Sequence, residues 1–169
     1  MDIERTFSVL VNDRPGVLTR IAGLFARRGF NISSITVGTA EEEGVSRMTI
    51  VSHGDEAMAM QVLTQVGKLV DVLDVIDMSK EKIVKRELAL IKVKAERSNR
   101  QEISHILDPF RVSVVDVGHS SITVQITGDV EKIDALVGLL RPYGIIEISR
   151  TGVTALLRSG TEEASDAAV

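Results

Sequence analysis

The sequence predicts an α+β fold in which two βαββαβ units follow one another along the chain. A pattern of strand, helix, two strands, helix and strand occurs twice, with a period of roughly 75 residues. The 169 residues are enough for two small domains. Hydrophobic residues make up 44% of the chain and aromatic residues only 3%, so the cores must consist of the aliphatic side chains that suit sheets covered by helices.

The first unit opens with a strand at residues 7–11, followed by a loop at residues 12–16. Asp13 is placed to cap the next helix, and Pro15 fits a first helical turn because its missing N–H would be unpaired there. Gly29 is placed to end this helix in a left-handed conformation. The apolar residues that recur at helical spacing are Val17, Leu18, Ile21, Leu24 and Phe25.

The rest of the first unit contains two strands, at residues 31–38 and 45–52, then a helix and a final strand at residues 70–78. Asp55 is expected to cap the helix. The imperfect alternation of apolar residues in the second strand predicts a bulge or an exposed edge.

The second unit repeats this order after a charged linker. We expect an N-terminal domain at residues 4–78, a linker at 79–86, a C-terminal domain at 87–158 and a disordered tail at 159–169. The predicted elements of the second unit are a strand at 88–93, a helix capped by Ser98, a hairpin of 112–117 and 122–127, a helix capped by Asp129 and a strand at 145–149.

Right-handed crossovers give each unit a ferredoxin-like sheet with the strand order 4-1-3-2. Both helices of a unit then lie on one face of its sheet. We expect the other face to be covered by the other domain or by another subunit, because an apolar sheet face must be buried. The second strand of each unit lies at an edge of the sheet, where it is free to pair with another chain.

Composition argues against several classes of function. The net charge of −4 provides no basic surface for a phosphate backbone, and five aromatic residues are too few for a stacking platform, so no nucleic-acid partner is expected. The chain has no cysteine, its three histidines are scattered, and no phosphate-binding loop or acid–base pair is present. We therefore expect no catalytic residue, no metal and no cofactor in this chain. No apolar run is long enough to cross a membrane, and a cytoplasmic location is expected.

The loop between the first strand and the first helix is the best candidate for a binding site. Free N–H groups at a helix start bind carboxylates, and Gly16 lets a ligand approach the backbone. Asn12 and Asp13 can accept hydrogen bonds from an ammonium group. These groups together describe an amino-acid site, although an ordinary helix cap explains the same residues. The loop at residues 95–100 of the second unit has no Pro-Gly, which suggests that only the first loop binds a ligand.

Asn31 and Ile32 begin the second strand, the predicted edge of the first sheet. If the edges of two chains paired, the start of this strand in one chain would approach the first loop of the other. We therefore predict effector sites at a dimer interface. The alternative is that Asn31 is simply a turn residue after Gly29.

Several motifs make the chain resemble the regulatory, or small, subunits of acetolactate synthase, also called acetohydroxyacid synthase. They span residues 4–158. The motifs are FSVLV at 7–11, DRPGVL at 13–18, LFARRGFNI at 24–32, SRMTI at 46–50, KLVDV at 68–72, RELALIKV at 86–93 and RTGV at 150–153.

The resemblance implies an N-terminal ACT domain, a C-terminal ACT-like domain and a homodimer that binds valine or another branched-chain amino acid. It implies activation and feedback inhibition of a separate catalytic subunit that carries thiamine diphosphate, Mg and FAD. A regulator of a different biosynthetic enzyme is the alternative. By resemblance, one side of the effector pocket is formed by Asp13, Arg14, Pro15, Gly16, Val17 and Leu18, and the other side by Asn31 and Ile32 of the neighbouring chain.

Overall fold

A computed structural model describes residues 3–159 and divides the chain into two compact units. Among the described residues, the first unit comprises 3–84 together with 153–159, and the second unit comprises Lys85–Gly152. Both units have the predicted βαββαβ order, so the predicted fold class is confirmed. Residues 160–169 of the expected tail lie outside the described residues.

The first unit is a four-stranded antiparallel sheet with the order β2-β3-β1-β4, which is the predicted 4-1-3-2 arrangement. Its two helices cover one face, where Phe7 and Ile50 of the sheet pack with Ile21 and Phe25 of the first helix. The elements are β1 (Ile3–Asn12), α1 (Val17–Arg27), β2 (Ile32–Thr39), β3 (Val45–Gly54), α2 (Glu56–Val66) and β4 (Val72–Asp77).

The second unit has the equivalent order β6-β7-β5-β8. Ile91 and Val124 of its sheet pack with Ile103 and Leu136 of its helices. The elements are β5 (Ile83–Lys94), α3 (Arg100–Leu107), β6 (Ser113–Val117), β7 (Ser121–Gly128), α4 (Val130–Leu140) and β8 (Ile145–Arg150), with 3₁₀ turns at Asp108–Phe110 and Arg141–Tyr143. Because β5 begins at Ile83, it includes part of the segment expected to be a linker.

Two of the four predicted helix caps are confirmed. The carboxylate of Asp55 accepts a hydrogen bond from the Met58 N–H at 2.9 Å, and that of Asp129 accepts one from the Lys132 N–H at 2.9 Å. Gly29 also has the predicted left-handed conformation, with φ of 72°.

The caps predicted at Asp13 and Ser98 are wrong. The residue before α1 is Gly16 and the residue before α3 is Asn99, and neither helix start has a side-chain cap. Both α1 and α3 begin later than expected. The residues predicted to form the first helical turn instead form a separate turn after β1 and after β5.

The last described strand, β9 (Thr154–Leu157), pairs with β5 and lies within the compact first unit. The N–H of Val153 donates to Ser34 Oγ at 3.0 Å, and Thr36 Oγ1 donates to the carbonyl of Val153 at 3.0 Å. Val153 and Ala155 are buried. Residues 153–155 therefore cover part of the helix-free face of the first sheet, the face for which the sequence predicted a cover from the other domain or from another subunit.

Candidate functional site

The loop between β1 and α1 is a tight turn whose third position, Gly16, has a left-handed conformation that favours glycine. The Val17 N–H donates to the Arg14 carbonyl at 3.3 Å, with Pro15 second and Gly16 third in the turn. Gly16 has φ 86° and ψ −4°, the values of the third residue in a type II turn. Pro15 therefore lies before the helix rather than in its first turn, because the left-handed residue that follows it interrupts helical geometry.

Two backbone hydrogen bonds hold the base of this loop. The N–H of Asn12 donates to the carbonyl of Asp71 at 2.8 Å, just before β4. The N–H of Asp13 donates to the carbonyl of Gly44 at 2.8 Å, just before β3. The end of β1 is therefore fixed from both sides, and the loop projects from a rigid base.

The start of α1 leaves hydrogen-bond donors free. The Arg20 N–H is bonded to the Gly16 carbonyl at 3.0 Å, whereas the N–H groups of Leu18 and Thr19 find no acceptor among residues 3–159. Unsatisfied N–H groups give a helix start a partial positive charge and allow it to bind an anion. This end of α1 can therefore accept a carboxylate.

A charged cluster lies beside the loop. The carboxylate of Asp71, whose side chain is only 10% exposed, pairs with Arg14 at 3.4 Å and more closely with Arg20. Two guanidinium groups and one carboxylate leave one net positive charge at the start of α1. The carboxylate of Asp13 is exposed, and no residue within 3–159 pairs with it. The loop thus offers both a positive and a negative group, as a zwitterionic ligand requires.

The structure brings the predicted residues 12–18 together in this one loop. Asn12 ends β1, and Asp13, Arg14, Pro15 and Gly16 are exposed. Val17 differs from its neighbours, because its side chain is buried in the core and only its backbone faces the loop. Leu18 is 45% exposed and provides an apolar surface next to the free N–H groups.

The other two predicted site residues lie at the opposite end of the sheet within one chain. Ile32 pairs with Ser52, and Ser52 pairs with Arg5 of β1. The seven steps along β1 from Arg5 to Asn12 correspond to about 23 Å. A single chain therefore does not bring Asn31 and Ile32 to the loop. Asn31 is exposed, and its carbonyl accepts a hydrogen bond from Ser52 Oγ at 2.5 Å.

Sequence reasoning missed Arg20 and Asp71 as members of this site. Arg20 gave only a weak signal, since it fell off the apolar stripe of α1. Asp71 is 51 residues away from Arg20 in the chain, and no local pattern links a residue before β4 to a helix start.

The corresponding loop of the second unit is closed. The Lys94 N–H donates to the Gly144 carbonyl at 2.9 Å and the Ala95 N–H to the Ser120 carbonyl at 2.8 Å, so both anchoring bonds recur. There, however, Arg100 Nη2 donates to three carbonyl oxygens. The acceptors are Ala95 at 2.8 Å, Gly118 at 2.8 Å and His119 at 3.0 Å. A side chain of the protein itself thus occupies the space beside this helix start.

The described part of the chain holds neither a membrane-spanning helix nor a metal-binding cluster. Residues 3–159 contain no helix that is long and apolar enough to cross a membrane. The same residues contain no group of three or more histidine, aspartate or glutamate side chains that could hold a metal ion.

Known proteins share both the sequence and the fold. Residues 7–74 match the family described as AHAS small subunit-like ACT domain, and residues 86–159 match the family described as small subunit of acetolactate synthase. The acetolactate synthase small subunit of Bacillus subtilis (strain 168) is 52% identical over 164 residues, which cover 96% of this chain and 95% of that protein. The chain belongs to the acetolactate synthase small-subunit family.

Other members of the family support the assignment over the same length. The probable acetolactate synthase small subunit of Methanothermobacter thermautotrophicus is 51% identical over 89% of this chain and 90% of its own. A crystal structure of the acetolactate synthase small subunit from Thermotoga maritima has a TM-score of 0.87 at 42% identity, covering 94% of this chain and 99% of that one. The predicted family is confirmed, and with it the role of a regulatory subunit of acetolactate synthase.

Proposed function

We propose that the chain binds valine or another branched-chain amino acid at the loop of residues 12–18 and thereby controls the catalytic subunit of acetolactate synthase. The observation that carries this proposal is the open start of α1, where the N–H groups of Leu18 and Thr19 lie beside a cluster with one net positive charge. A positive cluster beside free N–H groups, with the exposed carboxylate of Asp13 nearby, fits a ligand that carries both a carboxylate and an ammonium group.

Each part of a zwitterionic amino acid has a matching group. The carboxylate of the ligand accepts hydrogen bonds from the free N–H groups at the start of α1. Its ammonium group is attracted by the exposed carboxylate of Asp13 and can donate to the side-chain oxygen of Asn12. The aliphatic side chain of the ligand packs against the exposed part of Leu18.

The proposed site is completed by a second copy of the chain. In the observed order, β2 is an edge strand with no neighbour on its outer side among residues 3–159. Thr39, at its end, lies in one row with Ser46 and Val11, next to the effector loop. If two β2 strands pair antiparallel along their length, Ile32 of the second copy lies opposite Thr39. Asn31 and Ile32 of that copy then come close to residues 12–18.

The effector acts by binding one arrangement of the regulatory subunit better than another. Without effector, the homodimer keeps the catalytic subunit active, and binding of valine favours an inhibitory arrangement. A ligand shifts such an equilibrium only by its difference in affinity for the two states, which is typically about 1–3 kcal/mol. Thiamine diphosphate, Mg and FAD belong to the catalytic subunit in this proposal, and this chain carries no cofactor. A cytoplasmic location remains a prediction.

Mixed dimers provide a direct test of the shared site. Gly16→Asp places a carboxylate in the loop, and Asn31→Tyr places a bulky side chain at an exposed position whose side chain makes no hydrogen bond within residues 3–159. We expect neither homodimer to bind valine in a calorimetric titration. A mixed dimer that carries one change in each chain has one site with both changes and one site with neither. It should therefore bind one valine with nearly wild-type affinity.

Two results would contradict the proposal at different points. If the loop and Asn31 formed the site within one chain, or if the two changes acted separately, the mixed dimer would bind nothing. Absence of heat when wild-type protein is titrated with valine, leucine and isoleucine would refute the effector itself.

A further inference from the structure

We propose that Asp71 is a positioning residue of the effector site, which acts through Arg14 and Arg20 and does not itself touch the ligand. The inference rests on the proposed function of the loop. It assigns a role in effector binding to a residue that lies outside the loop, at the start of β4.

The contacts of Asp71 connect it to every part of the loop. Its carbonyl accepts the hydrogen bond from the Asn12 N–H that fixes the base of the loop. Its carboxylate holds Arg14, within the turn, and Arg20, in the first turn of α1. The side chain of Asp71 is 10% exposed, whereas those of the two arginines are 67% and 50% exposed. A nearly buried carboxylate thus restrains two side chains that would otherwise be free in solvent.

Electrostatics explains why the arginines need such an anchor. Cations are unfavourable at the start of a helix, where the partial charge of the backbone is positive, and two neighbouring guanidinium groups repel each other. The Asp71 carboxylate offsets both effects. Arg20 Nη1 therefore stays 3.6 Å from the position that a Cβ on Gly16 would occupy, directly beside the proposed ligand site.

The second unit provides an internal comparison. The Lys94 N–H donates to the Gly144 carbonyl as the Asn12 N–H donates to that of Asp71, so Gly144 holds the equivalent position. Gly144 has no side chain, and the loop next to it is filled by Arg100. The carboxylate is thus present beside the open loop and absent beside the closed one, as a role in ligand binding requires.

The test uses the full chain and matched pairs of variants. Asp71→Asn is compared with Asp74→Asn, a nearby exposed aspartate of β4, and Arg20→Gln is compared with Arg27→Gln at the other end of α1. In calorimetric titrations with valine, we expect Asp71→Asn and Arg20→Gln to weaken binding about tenfold and the two controls to change it less than twofold. Adding Asp71→Asn to the double variant Arg14→Gln/Arg20→Gln should weaken binding less than twofold further, since Asp71 acts through these two arginines.

The direction of the effect separates positioning from bulk charge. Removal of the Asp71 charge makes the site more positive, so a purely long-range effect would tighten binding of the ligand carboxylate. Unchanged or tighter binding in Asp71→Asn would overturn the inference, and so would a full tenfold loss on top of the double variant Arg14→Gln/Arg20→Gln. If Asp71→Asn fails to fold, Asp71→Glu keeps the charge and displaces the carboxylate by one methylene group. Weaker binding in Asp71→Glu then supports positioning, and unchanged binding overturns it.

A measurement without ligand keeps this inference distinct from the proposed function. NMR relaxation of the Nε–Hε groups should show Arg14 and Arg20 to be more mobile in Asp71→Asn than in wild type, with Arg27 unchanged. Equal mobility would refute positioning even if valine binds. Increased mobility together with no valine binding by wild type would refute the effector proposal and leave Asp71 as an anchor of the loop only.

Discussion

The two units of this chain end their first strands in the same way and then differ in one respect. In each unit two backbone hydrogen bonds fix the strand end, at Asn12 and Asp13 in the first unit and at Lys94 and Ala95 in the second. Beyond that point both helix starts keep two free N–H groups within residues 3–159, but in the second unit the Arg100 side chain fills the loop beside them. A binding site thus arises here by leaving a repeated feature of the fold open.

The two loops differ in what lies beside the helix start. Both helices keep two N–H groups without an acceptor among residues 3–159, those of Leu18 and Thr19 in the first unit and those of Gln101 and Glu102 in the second. In the second unit, however, Arg100 donates to carbonyl oxygens from both sides of the loop, so its guanidinium group fills the space that a ligand would need. The second loop should therefore matter for stability and the first loop for binding.

Gly16→Asp should have the largest effect on binding. A side chain at φ 86° is strained, and the new carboxylate would repel that of the ligand. We expect the affinity for valine to fall by about a hundredfold, which corresponds to about 2.8 kcal/mol. Activation of the catalytic subunit should survive, because the change lies in the loop. Assays of the reconstituted enzyme with and without valine measure both quantities.

Gly16→Ala is the control for this change. It has the same backbone conformation without the charge and should cost about 1 kcal/mol of stability. If alanine abolishes valine inhibition as completely as aspartate does, strain rather than charge explains the loss. If valine sensitivity is unchanged in Gly16→Asp, the loop is not the effector site.

Arg100→Ala, in the second unit, should lower the stability of the protein and leave the binding of valine unchanged. The change removes a charged donor from three carbonyl oxygens, and we expect the free energy of unfolding to fall by about 2 kcal/mol. Urea denaturation measures this loss, with Arg97→Ala as the control because Arg97 is a nearby exposed arginine. The affinity for valine should stay within twofold of wild type. A stable Arg100→Ala protein with altered valine affinity would show that the second loop also senses the effector.

Local patterns in the sequence predicted the repeated elements and some of their ends. Asp55 and Asp129 could be recognised as caps because each directly precedes an amphipathic helix. In the structure, each accepts a hydrogen bond from the N–H three residues ahead. The cap at Asp13 failed because the Pro-Gly pair that follows it makes a turn of its own before α1 begins. The pairing of Asp71 with Arg20 could not be predicted, since it depends on how β4 and α1 meet in the folded unit.

The two units also differ in how each buries an arginine-centred ion-pair network. In the first unit Arg5, 3% exposed, pairs with Glu56 at 3.0 Å and with Asp77 at 3.1 Å, and Glu56 is 58% exposed. In the second unit the buried member is the acid, because Glu87 is 5% exposed and its partner Arg150 is 32% exposed. When Glu56 gains a proton, the buried guanidinium group of Arg5 keeps Asp77 as its partner, so the first network should respond gradually to acid.

Glu56→Gln tests this response and should have the smallest effect. Hydrogen bonds from Lys80 and from Arg5 hold the pKa of Glu56 below its ordinary value of 4.5. A carboxyl group with a lowered pKa in the folded state stabilises the protein fully above that ordinary value and loses the contribution as the pH falls through the folded pKa. The stability difference between wild type and Glu56→Gln should therefore be small at pH 6 and vanish towards pH 3. Urea denaturation across this range measures it without screening the charges, with the exposed Glu43→Gln as control. A difference that stays constant or grows on acidification would show that the Glu56 charge does not stabilise the first unit.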